Sequence, residues 1–313
     1  MRKAVLLSYI LMPILCVSQG VAQEFDLVET GMCPTDLIND MFVDSNYAYV
    51  STMEGVEIIS IADKTDPEII GRAKTNDLAF GVFVSDMYLY TVTQQGHLLI
   101  YDVRNPKTPV LIGKNDELKA PNKILIKGDY AFITQSKGHL IVYDITDHSN
   151  PAWVTSMYLG KTGKGHVLSR GILYVTVRSK GLYIFNVANP ASAEFISELP
   201  VKGNAESICV DKEVLYIGSL TGPVSIYDIS APLSPIRIST VNGHGHAAGL
   251  SVHNGILVVA DQEKGVLVYD VSNPKLPEIL AQKEGHVHDA WYDGGYIYVN
   301  GEDGLQILKL VKR

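Results

Sequence analysis

Short runs of apolar residues, separated by turn residues, recur along most of the chain. The stretch 81–113 contains GVFVSD, MYLYTVT, HLLIYDV and VLIG in succession, with a Gln-Gln-Gly turn and an Asn-Pro turn among the connections. β-Branched and aromatic residues favour extended strands, whereas Gly and Asn-Pro pairs interrupt them. The pattern therefore predicts an all-β protein made of short strands joined by tight turns.

The same four-strand unit repeats at a nearly constant interval. A glycine precedes the third strand of each copy, and successive glycines are 39 to 43 residues apart: Gly55, Gly96, Gly138, Gly181, Gly222, Gly265 and Gly304. A period of about 40 residues that contains only strands and turns is typical of propeller blades. We therefore predict a seven-bladed β-propeller.

The seventh copy contains only three strands, which leaves one blade incomplete. The segment FDLVETG at 25–31 resembles the outer strands of the other copies and precedes the first blade. Pairing it with 305–311 would close the ring and remove two exposed sheet edges. We expect this N-terminal strand to complete the last blade.

The third strands carry a recognisable motif: LLIYDV (98–103), LIVYDI (140–145), VSIYDI (224–229) and VLVYDV (266–271). Each is followed by a turn that contains proline. These repeats resemble the LVIVD-repeat family of secreted bacterial β-propellers, and the resemblance covers nearly the whole chain after residue 22. It implies the propeller architecture and says little about activity.

The N-terminus has the features of a secretory signal. Arg2 and Lys3 precede a short apolar run, and Gly20-Val21-Ala22 supplies the small residues that a signal peptidase recognises. We predict a signal peptide at 1–22, a single propeller at 23–313, and a secreted or periplasmic protein. Lipid attachment at Cys16 is the alternative, although Leu15 is bulky where a small residue is preferred. The later sequence predicts no transmembrane segment.

Composition excludes several function classes. The chain has a formal net charge of −8 and no basic stripe, which argues against a nucleic-acid partner. Cys33 and Cys209 are too few for a disulfide scaffold. GxSxG, CxxC, HExxH and Gly-rich phosphate-binding motifs are absent from the sequence. No cofactor is required by the sequence.

The start of the first strand in each copy varies where the rest of the strand stays apolar. Aligned on that strand, a first column contains Asn39, Phe80, Asn122, Lys164, Glu206, Ala248 and His288. A second column contains Asp40, Gly81, Lys123, Gly165, Ser207, Gly249 and Asp289. A requirement of the fold would repeat sevenfold. The diversity is instead typical of a ligand site at one mouth of the central channel.

Two His-x-His pairs lie beside these columns, and their role admits three interpretations. They could hydrogen-bond only to loop backbone. They could hold a divalent metal such as zinc through His244, His246, His286, His288 and Asp289. They could also belong to a metal-free site, because histidine exchanges protons near neutral pH. A further histidine, His166, replaces an apolar residue in the column that follows.

Ligand binding at this mouth is the function that we predict, with a glycan as the preferred ligand ahead of another small molecule or a peptide. The ligand-binding candidates are Asn39, Asn122, Lys164, His286, Arg170 and Arg178. The alternative is a carbohydrate-active enzyme of the lyase or dehydratase type. Its catalytic candidates are His166, His246, His288, Lys123, Glu206 and Tyr292. An interaction module that binds through blade edges is the third possibility.

Overall fold

The computed structural model describes residues 25–36, 39–44, 46–241 and 245–313. Within these residues the chain forms seven four-stranded antiparallel sheets arranged as the blades of a propeller. The predicted all-β, seven-bladed fold is confirmed. The predicted signal peptide at 1–22 and His244 lie outside the described residues.

The strands of the first four blades follow one another along the chain, after an N-terminal strand β1 (Phe25–Cys33). Blade one contains β2 (Asp40–Asp44), β3 (Tyr47–Thr52), β4 (Gly55–Ser60) and β5 (Glu68–Lys74). Blade two contains β6 (Ala79–Ser85), β7 (Tyr88–Thr93), β8 (Leu98–Asp102) and β9 (Val110–Asn115). Blade three contains β10 (Pro121–Lys127), β11 (Tyr130–Gln135), β12 (His139–Asp144) and β13 (Ala152–Tyr158). Blade four contains β14 (Gly163–Ser169), β15 (Ile172–Val177), β16 (Gly181–Asn186) and β17 (Glu194–Leu199).

The remaining blades follow the same order. Blade five contains β18 (Ala205–Asp211), β19 (Val214–Ser219), β20 (Val224–Asp228) and β21 (Ile236–Val241). Blade six contains β22 (Ala247–His253), β23 (Ile256–Asp261), β24 (Gly265–Asp270) and β25 (Glu278–Lys283). Blade seven contains β26 (Val287–Asp293), β27 (Tyr296–Gly301) and β28 (Gly304–Lys312). A single 3-10 turn at Pro190–Ser192 is the only helical element among the described residues, and none of them forms a helix long and apolar enough to cross a membrane.

The N-terminal strand completes blade seven, as the sequence predicts. Strand β1 pairs antiparallel with β28, with Phe25 opposite Lys312 and Cys33 opposite Leu305. The sheet order is therefore β1-β28-β27-β26. Because β1 and β28 lie in one sheet, the ring closes through backbone hydrogen bonds.

Apolar side chains fill the interfaces between neighbouring blades. One such core contains Phe132, Leu140, Leu173 and Phe185 from blades three and four, all essentially inaccessible to solvent. The recurring aspartates at the ends of the third strands cap the turns that follow. Asp102, for example, accepts a hydrogen bond from the backbone N–H of Arg104 at 3.0 Å.

The innermost strands are irregular at one end only. In blades two to seven, as far as the structure describes them, the pairing between the first and second strands changes register. The irregularity lies at the residues of the first and second columns. Such bulges turn side chains out of the regular strand alternation. Hydroxyl groups hold the bulges, since Thr134 donates to the Lys164 carbonyl group at 3.1 Å and Thr176 to the Glu206 carbonyl group at 3.0 Å.

Candidate functional site

The bulges direct the two columns into a cavity of about 590 Å³ in the central channel. Its wall includes polar and charged side chains of both columns, namely Asn39, Asp40, Asn122, Lys123, Lys164, Glu206, Ser207, His288 and Asp289. Gln262, from the turn after β23, adds an amide group. The volume lies in the range of small-molecule sites.

Lys123 crosses the channel from blade three and forms ion pairs with Asp40 of blade one and Asp289 of blade seven. We call this set the Lys123 bridge. The Lys123 Nζ atom lies 3.7 Å from Asp289 Oδ2 and contacts Asp40 more closely. Burial opposes protonation of Lys123, but the two carboxylates outweigh it and raise the pKa of its amine. Burial also raises the pKa of Asp289, to about 6, with Lys123 acting in the opposite direction.

A second ion cluster lies on blades four and five. Glu206 accepts hydrogen bonds from Arg178 Nε at 2.8 Å and Nη2 at 2.9 Å, and Lys164 Nζ lies 2.9 Å from its Oε1. Burial alone would raise the pKa of Glu206, but Arg178 and Lys164 outweigh it and lower that pKa. We call these three residues the Glu206 cluster.

The histidines of blade seven contact Gln262 of blade six. The Gln262 Nε2 atom donates to His288 Nδ1 at 2.9 Å, and His286 Nδ1 donates to the Gln262 carbonyl oxygen at 2.6 Å. The two imidazole rings are 4.7 Å apart and nearly perpendicular. Burial, followed by the charges of His286 and His246, lowers the pKa of His288. Donation from Gln262 Nε2 requires an unprotonated His288 Nδ1, which the lowered pKa favours.

Aromatic side chains line the same cavity further along the innermost strands. Phe42, Phe83 and Trp291 stand two positions after the second column, which places them roughly 7 Å deeper in the channel. The Phe42 ring centroid is 4.9 Å from that of Phe83 and 5.3 Å from that of Trp291. All three are half-buried, so they present an apolar surface beneath the polar mouth.

His166 is buried in the cavity wall between blades three and four, with 9 % of its surface exposed. Neither ring nitrogen has a hydrogen-bond partner in bonding geometry, although the Lys164 and Phe132 carbonyl groups lie close enough to favour protonation. Burial, reinforced by the charge of Lys123, lowers the pKa of His166 to about 4. The ring is therefore neutral at physiological pH.

Two of the predicted ligand-binding residues connect neighbouring blades. Asn39 Nδ2 donates to the Ala79 carbonyl oxygen at 3.0 Å, and Asn122 Nδ2 donates to the Gly163 carbonyl oxygen at 2.9 Å. Ser136 donates to the remaining amide oxygen of Asn122. These amides line the cavity, but their donors already hold the ring together.

Arg170 and Tyr292 do not line the channel cavity. Arg170 lies in the turn after β14, at the opposite end of that strand from the mouth, and pairs with Glu213 at 2.9 Å. Tyr292 packs against the core between blades six and seven. His246 precedes β22, and its backbone N–H donates to Asp261 at 3.1 Å. Among the described residues no three His, Cys, Asp or Glu side chains converge to hold a metal ion, and His244 lies outside them.

Sequence reasoning missed Gln262, Trp291, Phe42 and Phe83. The aromatic residues could have been found from the sequence. They lie two residues after the second column, and the residue type at that position varies between blades as it does in the two columns. Gln262 directly follows the second strand of its blade, the position that Arg178 occupies in blade four, and this position also varies between blades.

These features define a closed seven-bladed propeller with a polar channel mouth above an aromatic floor. The LVIVD repeat matches residues 39–75, 78–116, 121–158, 202–243 and 244–280, more than half of the chain, and the chain belongs to this repeat family. No curated protein matches the chain in sequence.

Solved structures share the fold at low sequence identity. The computationally designed Ika8 protein superimposes with a TM-score of 0.68 at 11 % identity, over 92 % of this chain and 100 % of that one. Sqt1 of Saccharomyces cerevisiae gives a TM-score of 0.65 at 11 % identity, over 88 % of this chain and 82 % of its own. At such identities the likeness concerns the architecture alone.

Proposed function

We propose that the protein binds a neutral glycan through the polar mouth of its channel. The observation that carries this proposal is the combination, in one cavity, of ion-paired hydrogen-bonding groups with an aromatic floor. Sugars present hydroxyl groups at their rims and apolar C–H faces, so they need both kinds of surface.

The charge balance of the mouth favours a neutral ligand over an acidic one. In the described part of the mouth, Lys123 pairs with two carboxylates, while Lys164 and Arg178 share the carboxylate of Glu206. Three cations thus face three anions. The residual field is small, whereas a uronate or sulfate ligand would need unpaired positive charge.

The same balance weighs against the alternative function, a polysaccharide lyase or dehydratase. That chemistry requires a base near the reacting carbon and a cation that stabilises the developing enolate. Lys123 and Arg178 are already engaged by carboxylates, and the ring nitrogens of His166 are inaccessible to solvent. Binding without turnover therefore accounts better for these contacts. Secretion to the periplasm or beyond, which the N-terminal sequence predicts, would expose the protein to such glycans.

The two tryptophans of the chain provide a direct test. Trp291 lines the channel, whereas Trp153 lies on the outer strand β13 with 55 % of its surface exposed. In a Trp153→Phe variant, all tryptophan fluorescence comes from the channel. Neutral hexasaccharides of glucose, xylose, mannose and N-acetylglucosamine would be titrated beside hexagalacturonate.

We expect at least one neutral hexasaccharide to change the Trp291 emission and to raise the Tm of the wild-type protein. Trp291→Ala should abolish the thermal shift, and the matched control Trp153→Ala should retain it. The proposal fails if no neutral sugar acts, or if hexagalacturonate binds more tightly than all of them. The second result would favour the lyase alternative, which an increase in absorbance on uronate cleavage would then test.

A further inference from the structure

A second cavity, of about 770 Å³, lies on blade six beside the channel mouth. We call it the blade-six crevice. It is lined by Gln262, Glu263, Lys264, Leu267, Tyr269, Ile279, Gln282, Glu284, Gly285 and His286. Gln262 also lines the channel cavity, so the two spaces share a wall.

That shared wall is held in place from both sides. The side chain of Gln262 donates to His288 in the channel, while its carbonyl oxygen accepts from His286 in the crevice. The perpendicular contact between the two imidazole rings spans the boundary. The His286-x-His288 pair therefore presents one ring to each cavity.

Blade six contributes only small residues to the two columns. It contributes Ala248 and Gly249 to the two columns, whereas blades three, four, five and seven contribute charged, amide or imidazole groups there. A side chain cannot be added at Gly249, because its Cβ would lie 2.4 Å from Asp289 Oδ1. The residue that lines both the channel cavity and the crevice is Gln262, whose side chain stands between them.

The chemistry of the crevice matches that of the channel. Glu263, Lys264 and Glu284 supply charged hydrogen-bonding groups, and Gln282 Nε2 donates to the Lys264 carbonyl oxygen at 3.1 Å. Leu267 and Tyr269 form a buried apolar floor. Two carboxylates and one amine again provide no excess of positive charge for a polyanion.

We propose that the blade-six crevice is a second sugar subsite, so that the ligand is a neutral oligosaccharide. Its terminal unit occupies the channel, and the units that follow cross the shared wall at Gln262 and lie along blade six. The inference rests on the proposed function, since it extends the same site and names the size of the ligand. It assigns the second His-x-His pair a role as the divider between two subsites.

Dependence of affinity on chain length tests this inference. Each neutral sugar of the panel would be titrated as a series from the monosaccharide to the hexasaccharide, using the wild-type protein and a Lys264→Ala/Glu284→Ala double variant. We expect wild-type affinity to rise about tenfold or more between the short and the long members. The double variant should lose that rise while it keeps its affinity for the monosaccharide. Glu278→Ala, an exposed change at the opposite end of β25, serves as the matched control.

The outcomes separate the two proposals. Affinity that is independent of length, with monosaccharides still bound at the channel, would overturn the second subsite and leave the proposed function intact. A length dependence that survives in the double variant would also overturn it. Absence of any response of Trp291 to sugars of all lengths would overturn the proposed function itself. Circular dichroism and Tm measurements confirm that each variant is folded.

Discussion

The Nζ atom of Lys123 on blade three lies 3.7 Å from the Oδ2 atom of Asp289 on blade seven, so one amine joins blades on opposite sides of the channel mouth. The same amine pairs with Asp40 on blade one. A contact between residues so far apart in the sequence depends on closure of the ring. The Lys123 bridge therefore forms part of the site and can exist only when blades one, three and seven are assembled around the channel.

Replacing Asp289 with asparagine should stabilise the protein at alkaline pH. The pKa of Asp289 is raised from 3.8 in the unfolded chain to about 6 in the folded protein. Its contribution to the free energy of unfolding is therefore most favourable below pH 3.8 and is lost as the pH rises through 6. The shift corresponds to a cost of up to about 3 kcal/mol at pH 8. Asp289→Asn removes that cost, and the gain should diminish as the pH is lowered towards 4.

Urea unfolding at several pH values measures this effect. Asp303→Asn, at an exposed loop position, is the matched control and should change the free energy of unfolding little. If Asp289→Asn stabilised the protein equally at every pH, the effect could not be due to ionisation of the Asp289 carboxyl group.

Removal of the bridging amine should destabilise the fold. Lys123→Met leaves the Asp40 carboxylate, which is 5 % exposed, without its cation. An uncompensated buried charge costs several kcal/mol, and because Lys123 retains contact with water we expect about 2 to 3 kcal/mol here. The double variant Lys123→Met/Asp40→Asn should recover part of this loss, which a double-mutant cycle in urea that includes the Asp40→Asn single variant would reveal. Equal stability of the single and double variants would show that the Asp40 carboxylate carries no cost when it lacks its cation.

His166 should make the protein sensitive to acid. Its folded-state pKa of about 4 is below the ordinary value of 6.5, so its contribution is fully present above pH 6.5 and is lost as the pH falls towards 4. The loss between pH 8 and pH 5 amounts to about 2 kcal/mol. His166→Leu, which restores the apolar character of its position in the other blades, should flatten this part of the profile. His253→Leu, at the exposed end of β22, should leave it unchanged.

Small residues in the outer strands set the distance between neighbouring blades. A Cβ at Gly71 would lie 2.0 Å from the Pro106 carbonyl oxygen in the next blade, and the equivalent position in blade four is Ser197. Gly71→Ala should therefore lower stability by about 1 to 3 kcal/mol through overpacking. Ser197→Ala should change it much less. Thermal unfolding of the two variants distinguishes a steric cause from a general effect of alanine.

The strands, their number and the closure of the ring were predictable from the sequence. Each strand is short and local, its β-branched residues and flanking turns repeat in every copy, and a period of about 40 residues has few structural solutions. The pairing of 25–31 with the last strand followed because one sheet lacked a partner. The strands and turns depend on neighbours along the chain, which a sequence displays directly.

The site was predictable only in outline. Lys123, Lys164, Glu206, His288 and Asp289 were assigned to the mouth from their variable columns, and the structure places them around one cavity. Their pairing was not predictable. In the folded protein the cations of the mouth face carboxylates from other blades.

The sequence by itself determined the repeating blade and the end of the channel at which polar residues gather, because both follow from local periodicity. Only the tertiary structure decided which polar groups meet, how they neutralise one another, and that Gln262 separates two cavities. Those relationships depend on the angle between blades and on contacts across the channel. Distances of that kind are determined when the ring closes, and no spacing along the chain encodes them separately.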